Sequence, residues 1–301
     1  MTTKPAKGDV EPRREAGIRS GPWASSMVGH DPQATMKELQ KVFIVGLIAT
    51  KRKELETCQQ DEALPAVVER TRINMFDFLP VVEAKPADAE PYAKIIGLVE
   101  VASFRQGEVP DSDIRSFMHP LSDENLIGAD ANILDFVRNA DRQRCRLLVS
   151  GLEISGLVSL SDLQRLPVRA ALFGLVTHFE IIMTNAIRRE FNGAEGWLAR
   201  LSIERQSQIE EKISNAKLMD GFVDNLLFTQ FGDKETIIRK SPFFKLNKTA
   251  FKSELAAIQS LRNALAHAND YASSRGAASG TCRTVRLIEQ WSKTLSVWPG
   301  E

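Results

Sequence analysis

The sequence predicts a two-part fold, a duplicated α/β module followed by an all-α helical bundle. Three observations predict it. Between residues 40 and 165 short apolar runs and one helical stretch occur in an order that repeats once, and an internal duplication says more than any single motif. After Pro167 that alternation gives way to helical periodicity with short connections, for which a bundle is the natural packing solution. A chain of 301 residues, 43% hydrophobic and 26% charged, is long enough for two compact domains and wrong for a mainly disordered protein. The formal net charge is zero, so any argument for nucleic-acid binding rests on local charge.

Taken in order, residues 1–35 open on a stretch rich in Gly, Pro, Ser and Arg and are expected to form a flexible tail. No hydrophobic signal core precedes residue 40, and no unbroken apolar run reaches the length of a membrane span, so no membrane partner is expected. Cys58, Cys145 and Cys282 are odd in number and widely spaced; they suggest neither a zinc cluster nor a disulfide framework and fit a reducing, cytoplasmic setting. Residues 36–48 suit a strand or a short amphipathic helix, and the pattern does not choose. A helix near 62–70 leads to a strand at 78–83, where Pro80 favours an edge or a strand start. A loop over 85–90 and a strand turning into a helix over 94–103 complete the first copy. The second copy has an apolar segment at 125–128 and a helix at 133–140, with Asp130 as candidate cap. Strands at 146–149 and 154–159 follow, separated by a turn at Gly151, and a helix begins near Ser161. Domains are therefore expected at 36–166 and 167–301. The second should hold helices at 168–191, 203–216 and 219–229, a basic and aromatic connector over 234–252, a helix at 254–269, a Gly/Ala/Ser loop at 273–280 and a final helix at 285–295.

The candidate chemistry of the first domain lies in Gly156-Leu157-Val158-Ser159-Leu160-Ser161-Asp162, where a buried strand turns into a helix. Asp162 could accept from ribose hydroxyls, and Ser159 with backbone amides could face a phosphate. The structural alternative is N-capping by Ser159 or Ser161, with Asp162 favourable to the helix dipole. Together with the duplication, Gly156, Ser159 and Asp162 resemble the signature of paired CBS domains. The resemblance covers roughly residues 40–190. It implies β-α-β-β-α units paired head to tail and an adenine nucleotide such as AMP or ATP as regulator, with Leu148 and Val149 on the strand that approaches the base. Leu79-Pro80-Val81-Val82 corresponds in the first unit. That unit departs from the pattern: Gly97-Leu98-Val99 is followed by Glu100, and Ser103 stands where an Asp is expected. Glu100 would place negative charge near a phosphate, and Ser103 lacks the two acceptors of a carboxylate.

In the second domain, Leu261-Arg262-Asn263-Ala264-Leu265-Ala266-His267 sits in a helix-forming context, with Leu261, Leu265 and Ala268 as an apolar stripe. Asn263 and His267, four apart, share another face, whereas Arg262 is rotated about 100° from Asn263. A second helix or a second subunit would be needed to bring Arg262 and His267 to one target. The alternative is an interior Asn and His bonded across the bundle beside a surface Arg. The string resembles the marker of the HEPN superfamily, an Arg, a polar residue, three to five others and a His, in its commonest form with Asn second, and the resemblance covers roughly residues 168–298. That resemblance implies a dimeric, metal-independent endoribonuclease with Arg262, Asn263 and His267 catalytic, leaving 2′,3′-cyclic phosphate and 5′-hydroxyl ends. Glu180 and Asn185 would support the cleft. Histidine can move protons near neutrality, and an arginine can meet charge developing on phosphate. His30, His119 and His178 have no ligand-spaced partners, so no catalytic metal or cofactor is expected. Arg239, Lys240, Lys245 and Lys248, interleaved with Phe243, Phe244 and Phe251, suit an RNA-binding rim or equally a solvated connector whose rings close the bundle.

The leading expectation is a homodimeric, toxin-like or defence endoribonuclease regulated by adenine nucleotide, with RNA as substrate and an antitoxin or other protein as a further candidate partner. The alternatives are a non-catalytic nucleotide sensor that binds RNA or a protein, or a dimeric scaffold.

Overall fold

The computed structural model describes residues 32–83, 93–192, 194–218 and 224–299. The loop expected at 85–90, part of the helix expected at 219–229 and residues 1–31 of the expected tail lie outside them. The described chain opens with helix α1 (Pro32–Val42), so the ambiguous segment after residue 36 begins as helix.

The α/β half contains the repeat twice. In the first unit β2 (Cys58–Gln59), α2 (Leu64–Thr71), β3 (Leu79–Val82) and β4 (Ile95–Val99) lead into a 3-10 turn at Val101–Phe104. The second unit runs β6 (Leu126–Gly128), α3 (Ile133–Asn139), β7 (Cys145–Ser150) and β8 (Glu153–Ser159) into a 3-10 turn at Leu160–Gln164. Two short strands cross between the units. β1 (Thr50–Lys51) precedes the first unit but completes the sheet of the second, in the order β1-β8-β7-β6. β5 (His119–Pro120) precedes the second unit and completes the sheet of the first, β2-β3-β4-β5.

The pseudo-symmetry extends to individual hydrogen bonds. Ile133 N–H donates to Phe43 O (2.8 Å) and Val45 N–H to Ala131 O (2.8 Å), while Leu64 N–H donates to Ser112 O (2.9 Å) and Ile114 N–H to Glu62 O (3.0 Å). It also explains both signature glycines. Lys51 pairs with Gly156 and Pro120 with Gly97. A Cβ on Gly156 would stand 2.5 Å from Thr50 O, and one on Gly97 2.6 Å from His119 O. The close approach of the crossing strand requires glycine there.

Several expectations change. Pro80 lies in an internal strand, tolerated because two-residue β2 pairs only with Val81 and Val82 and stops short of it. The cap of α3 is Asn132, whose Oδ1 accepts from Leu134 N–H (2.7 Å), and not Asp130.

The helical half is built on α4 (Leu166–Phe191), α5 (Ile203–Leu218), α6 (Phe231–Arg239), α7 (Lys248–Ala266) and α8 (Arg275–Ser296). By length and composition α4 could cross a membrane. No unbroken apolar run announces it because Arg169, His178 and Glu180 interrupt the sequence. It is the central helix, packed on by α1, α3, α6, α7 and α8, and such a helix needs apolar residues around most of its circumference. Helix α6 occupies the first part of the expected connector. Asn247 starts α7 earlier than expected by accepting from Thr249 and Ala250 N–H (both 3.0 Å). Helix α8 begins inside the expected Gly/Ala/Ser loop. Ser274 caps it, and Ala278, Thr281, Cys282, Val285 and Ile288 supply a buried stripe that outweighs the poor helix propensity of its glycines.

The main core is continuous from Val45, Ile133 and Phe136 through Leu163 and Phe179 to Phe251, Ile288 and Trp291, so the second α/β unit and the bundle are cored together. The first unit has a separate core around Leu64, Val67, Leu79 and Ile114, and a small inter-sheet layer of Val82, Leu98 and Leu147 joins the two units. Arg138 to Glu289 (2.7 Å) and Arg286 to Asp141 (2.7 Å) add ion pairs between the second unit and α8.

Candidate functional site

A cleft of about 450 Å³ opens where the two units meet the bundle. The first unit contributes Met75, Phe76 and Phe78; the second contributes Leu157 and Ser159–Asp162; the bundle contributes Ala272, Ser273, Ser274, Arg275 and Ala278. Arg144 and Arg165 also line it, as do Glu54, Glu56 and Asp77.

Ser159 is the last residue of β8, and the chain must turn there because Leu160 N–H donates to Arg144 O (2.8 Å). Asp162, buried, closes the turn. One carboxylate oxygen accepts from Ser159 N–H (2.7 Å) and Ser159 Oγ (3.2 Å), and the other accepts from Arg165 Nε (2.7 Å). Burial pushes its carboxyl above the ordinary carboxylate range, against the opposing pull of the Ser159 and Arg165 donors. Asp162 is thus engaged in capping, the structural alternative for these residues, and presents little surface to a ligand. Ser161 is exposed and Ser159 half-buried at the cleft, with their hydroxyl oxygens 2.7 Å apart.

The other sequence candidates of the module are placed elsewhere. Gly156 lies under β1. Leu148 is a core residue, and neither it nor Val149 lines the cleft. In the first unit Glu100 is engaged by Arg144 (2.5 Å), whose guanidinium also lies over the Phe78 ring at 5.5 Å. Ser103 Oγ donates to Glu100 O (2.7 Å), closing its own turn. Sequence reasoning missed Arg144, Arg165, Phe76 and Ser273–Arg275. Only spatial proximity brings them to the cleft, and no motif links them.

Arg262 and Asn263 lie on the last turns of α7. His267 is the residue after the helix, exposed, with its N–H donating to Asn263 O (3.1 Å). Arg262 Nη1 donates to Asn263 Oδ1 (3.3 Å). The interior arrangement of Asn263 and His267 is therefore not observed. Ala268 lies beyond the helix at φ 54, exposed, so the apolar stripe ends at Leu265. Glu180 and Asn185 are bonded to other partners. Glu180 accepts from Lys234 (3.0 Å), and Asn185 accepts from Arg188 (2.7 Å).

In the expected RNA rim, Arg239 pairs with Glu235 (2.6 Å) and Lys240 donates to Arg200 O (2.6 Å), while Lys245 and Lys248 are exposed. Phe244 and Phe251 pack with Trp291 in the core, leaving Phe243 as the exposed ring of the three. Among the described residues no group of three His, Cys, Asp or Glu is placed to hold a metal ion.

No family model matches the chain, and neither does any curated protein. Solved CBS-domain structures are similar to part of the chain at low identity. The CBS domain of a bacterial CNNM/CorC family Mg2+ transporter, in complex with ATP, is 17% identical over 44% of this chain and 90% of that one, with a TM-score of 0.34. A CBS-domain-containing hemolysin-like protein of Oenococcus oeni PSU is 16% identical over 44% and 96%, TM-score 0.34. CBSX2 in complex with AMP is 16% identical over 43% and 97%, TM-score 0.34.

Proposed function

We propose that this protein is an adenine-nucleotide sensor in which a CBS-like module, residues 36–166, reports to a helical module, residues 167–301, that binds RNA or a protein partner. One observation carries the reading. The cleft at the second signature turn combines an aromatic face, serine hydroxyls and arginines from three parts of the chain. Phe76, partly exposed, offers a face for the base. Ser159 and Ser161 offer hydroxyls to the ribose. Arg165 and Arg275 offer charge to the phosphate. The Glu100–Arg144 pair occupies the corresponding place at the first turn, which argues for one nucleotide per chain.

Calorimetry with AMP, ATP and adenosyl ligands tests this. One site per chain is expected, weakened by Ser161→Ala and Phe76→Ala with the fold retained by circular dichroism. Absence of binding by every ligand would overturn the reading.

A second reading follows from half-buried Arg262 and exposed Asn263 and His267 at one end of α7. There the helical module is a metal-independent endoribonuclease, and a homodimer brings two such ends to one RNA. Mixed RNA incubated with EDTA should be cleaved to 2′,3′-cyclic ends by wild type and not by His267→Ala. Equal cleavage by the folded variant would remove the site from the mechanism.

A further inference from the structure

The connector between α7 and α8 belongs to both candidate sites. It begins at His267 and ends at Ala272–Arg275, which form one wall of the cleft. Between these ends it is tied to the signature turn of the second unit and to the start of α4. Tyr271 Oη donates to Leu163 O (2.5 Å), and Gln164 Nε2 donates to Ala272 O (2.9 Å). Arg169 donates to Ala264 O (3.1 Å), Leu265 O (3.3 Å) and Asn269 O (2.7 Å), so it holds the carbonyl end of α7 on either side of His267. The same guanidinium lies 4.8 Å from the centre of the Tyr271 ring. Tyr271 is itself buried, and its carbonyl accepts from Thr281 on α8 (2.7 Å).

We infer that residues 267–274 form a strap that transmits occupancy of the cleft to the Arg262–Asn263–His267 end of α7, with Tyr271, Gln164 and Arg169 as its positioning residues. The inference rests on the nucleotide reading and specifies its regulation. A ligand that fills the cleft touches the Ser159–Ser161 turn on one side and Ser273–Arg275 on the other. Any difference in its affinity for two positions of these walls becomes a difference in the position of the strap. The strap is short, and its buried anchor Tyr271 is held through its hydroxyl by Leu163 O and through its backbone carbonyl by Thr281, so a shift at Ala272 carries to Asn269 and the carbonyls beside His267. The coupling holds whether this end of α7 cleaves RNA or only binds a partner.

Amide hydrogen exchange on the full chain, with and without AMP or ATP, tests the strap. In wild type, bound nucleotide should slow exchange about fivefold or more both at 159–164 and at 264–275. In Tyr271→Phe, calorimetry should still report binding and protection should persist at 159–164, while protection at 264–270 is lost. Gln164→Ala should lose part of it. A purely structural role for Tyr271 would raise exchange at 264–270 equally with and without nucleotide, and that result would overturn the inference. So would wild-type protection confined to 159–164, which leaves the nucleotide reading standing. If neither nucleotide binds, the nucleotide reading fails and the strap fails with it.

Discussion

In the first α/β unit the turn after the last strand carries Glu100 and Ser103; in the second it carries Ser159 and Asp162. The backbones around them match, down to the crossing strand and the glycine beneath it. The side chains diverge. Glu100 draws Arg144 across and closes its turn through Ser103, whereas Asp162 turns inward and leaves the serine hydroxyls at a cleft. Support diverges too: the second unit shares its core with the bundle and is pinned to α8 by two ion pairs, while the first has a core of its own. Residues that make the fold are shared by the two units. The serine hydroxyls at the cleft and the ion pairs to α8 belong to the second unit.

The most severe way to probe this comparison is at the shared glycines. Gly97→Val and Gly156→Val should each lower stability by about 1–3 kcal/mol or more, because the new side chain meets a fixed carbonyl. Urea denaturation should give effects of similar size; a strong effect at one and none at the other would break the symmetry. The acid comes next. Asp162→Ala removes a buried acceptor of three hydrogen bonds and should cost about 1–3 kcal/mol. Ser103→Ala, at the matching position, should stay within about 0.5 kcal/mol. Equal losses would show that both turns depend on the residue alike.

A smaller effect should appear on acidification. The Arg286 guanidinium holds the Asp141 carboxyl below its ordinary value of 3.8. The stabilisation from this depressed carboxyl is fully present above that value and is lost as pH falls through the lowered one. Urea midpoints at neutral pH and near pH 3 should therefore differ more for wild type than for Asp141→Asn. The first unit has no counterpart to this tie among the described ion pairs, so the difference should localise to the second unit. The smallest change should come from Glu100→Gln. Loss of a part-exposed ion pair costs about 0–1 kcal/mol. With Arg144 released toward the cleft, AMP and ATP should bind a few-fold more tightly by calorimetry.

The duplication, the long helix 166–191 and the turn at Gly151 were legible because each depends on local chemistry: apolar periodicity, or a residue able to take φ of 62°. The early start of α8 was not, since Gly276 and Gly280 are poor helix formers within a helix held by contacts with distant parts of the chain. Among the rim aromatics, Phe243 and Phe244 are neighbours in sequence, yet one is exposed and the other is core; packing against Phe251 and Trp291 distinguishes them.

The sequence by itself determined the order of elements, the repeat and the unequal signatures, because hydrophobic period and turn chemistry act over a few residues. The tertiary structure alone decided which strand completes which sheet, that Asp162 caps its turn, and that His267 shares a connector with the cleft. Those outcomes depend on groups far apart in the chain: Thr50 over Gly156, Arg144 beside Glu100, and Tyr271 against Leu163. Burial and hydrogen-bond geometry select such partners only once the whole chain has packed.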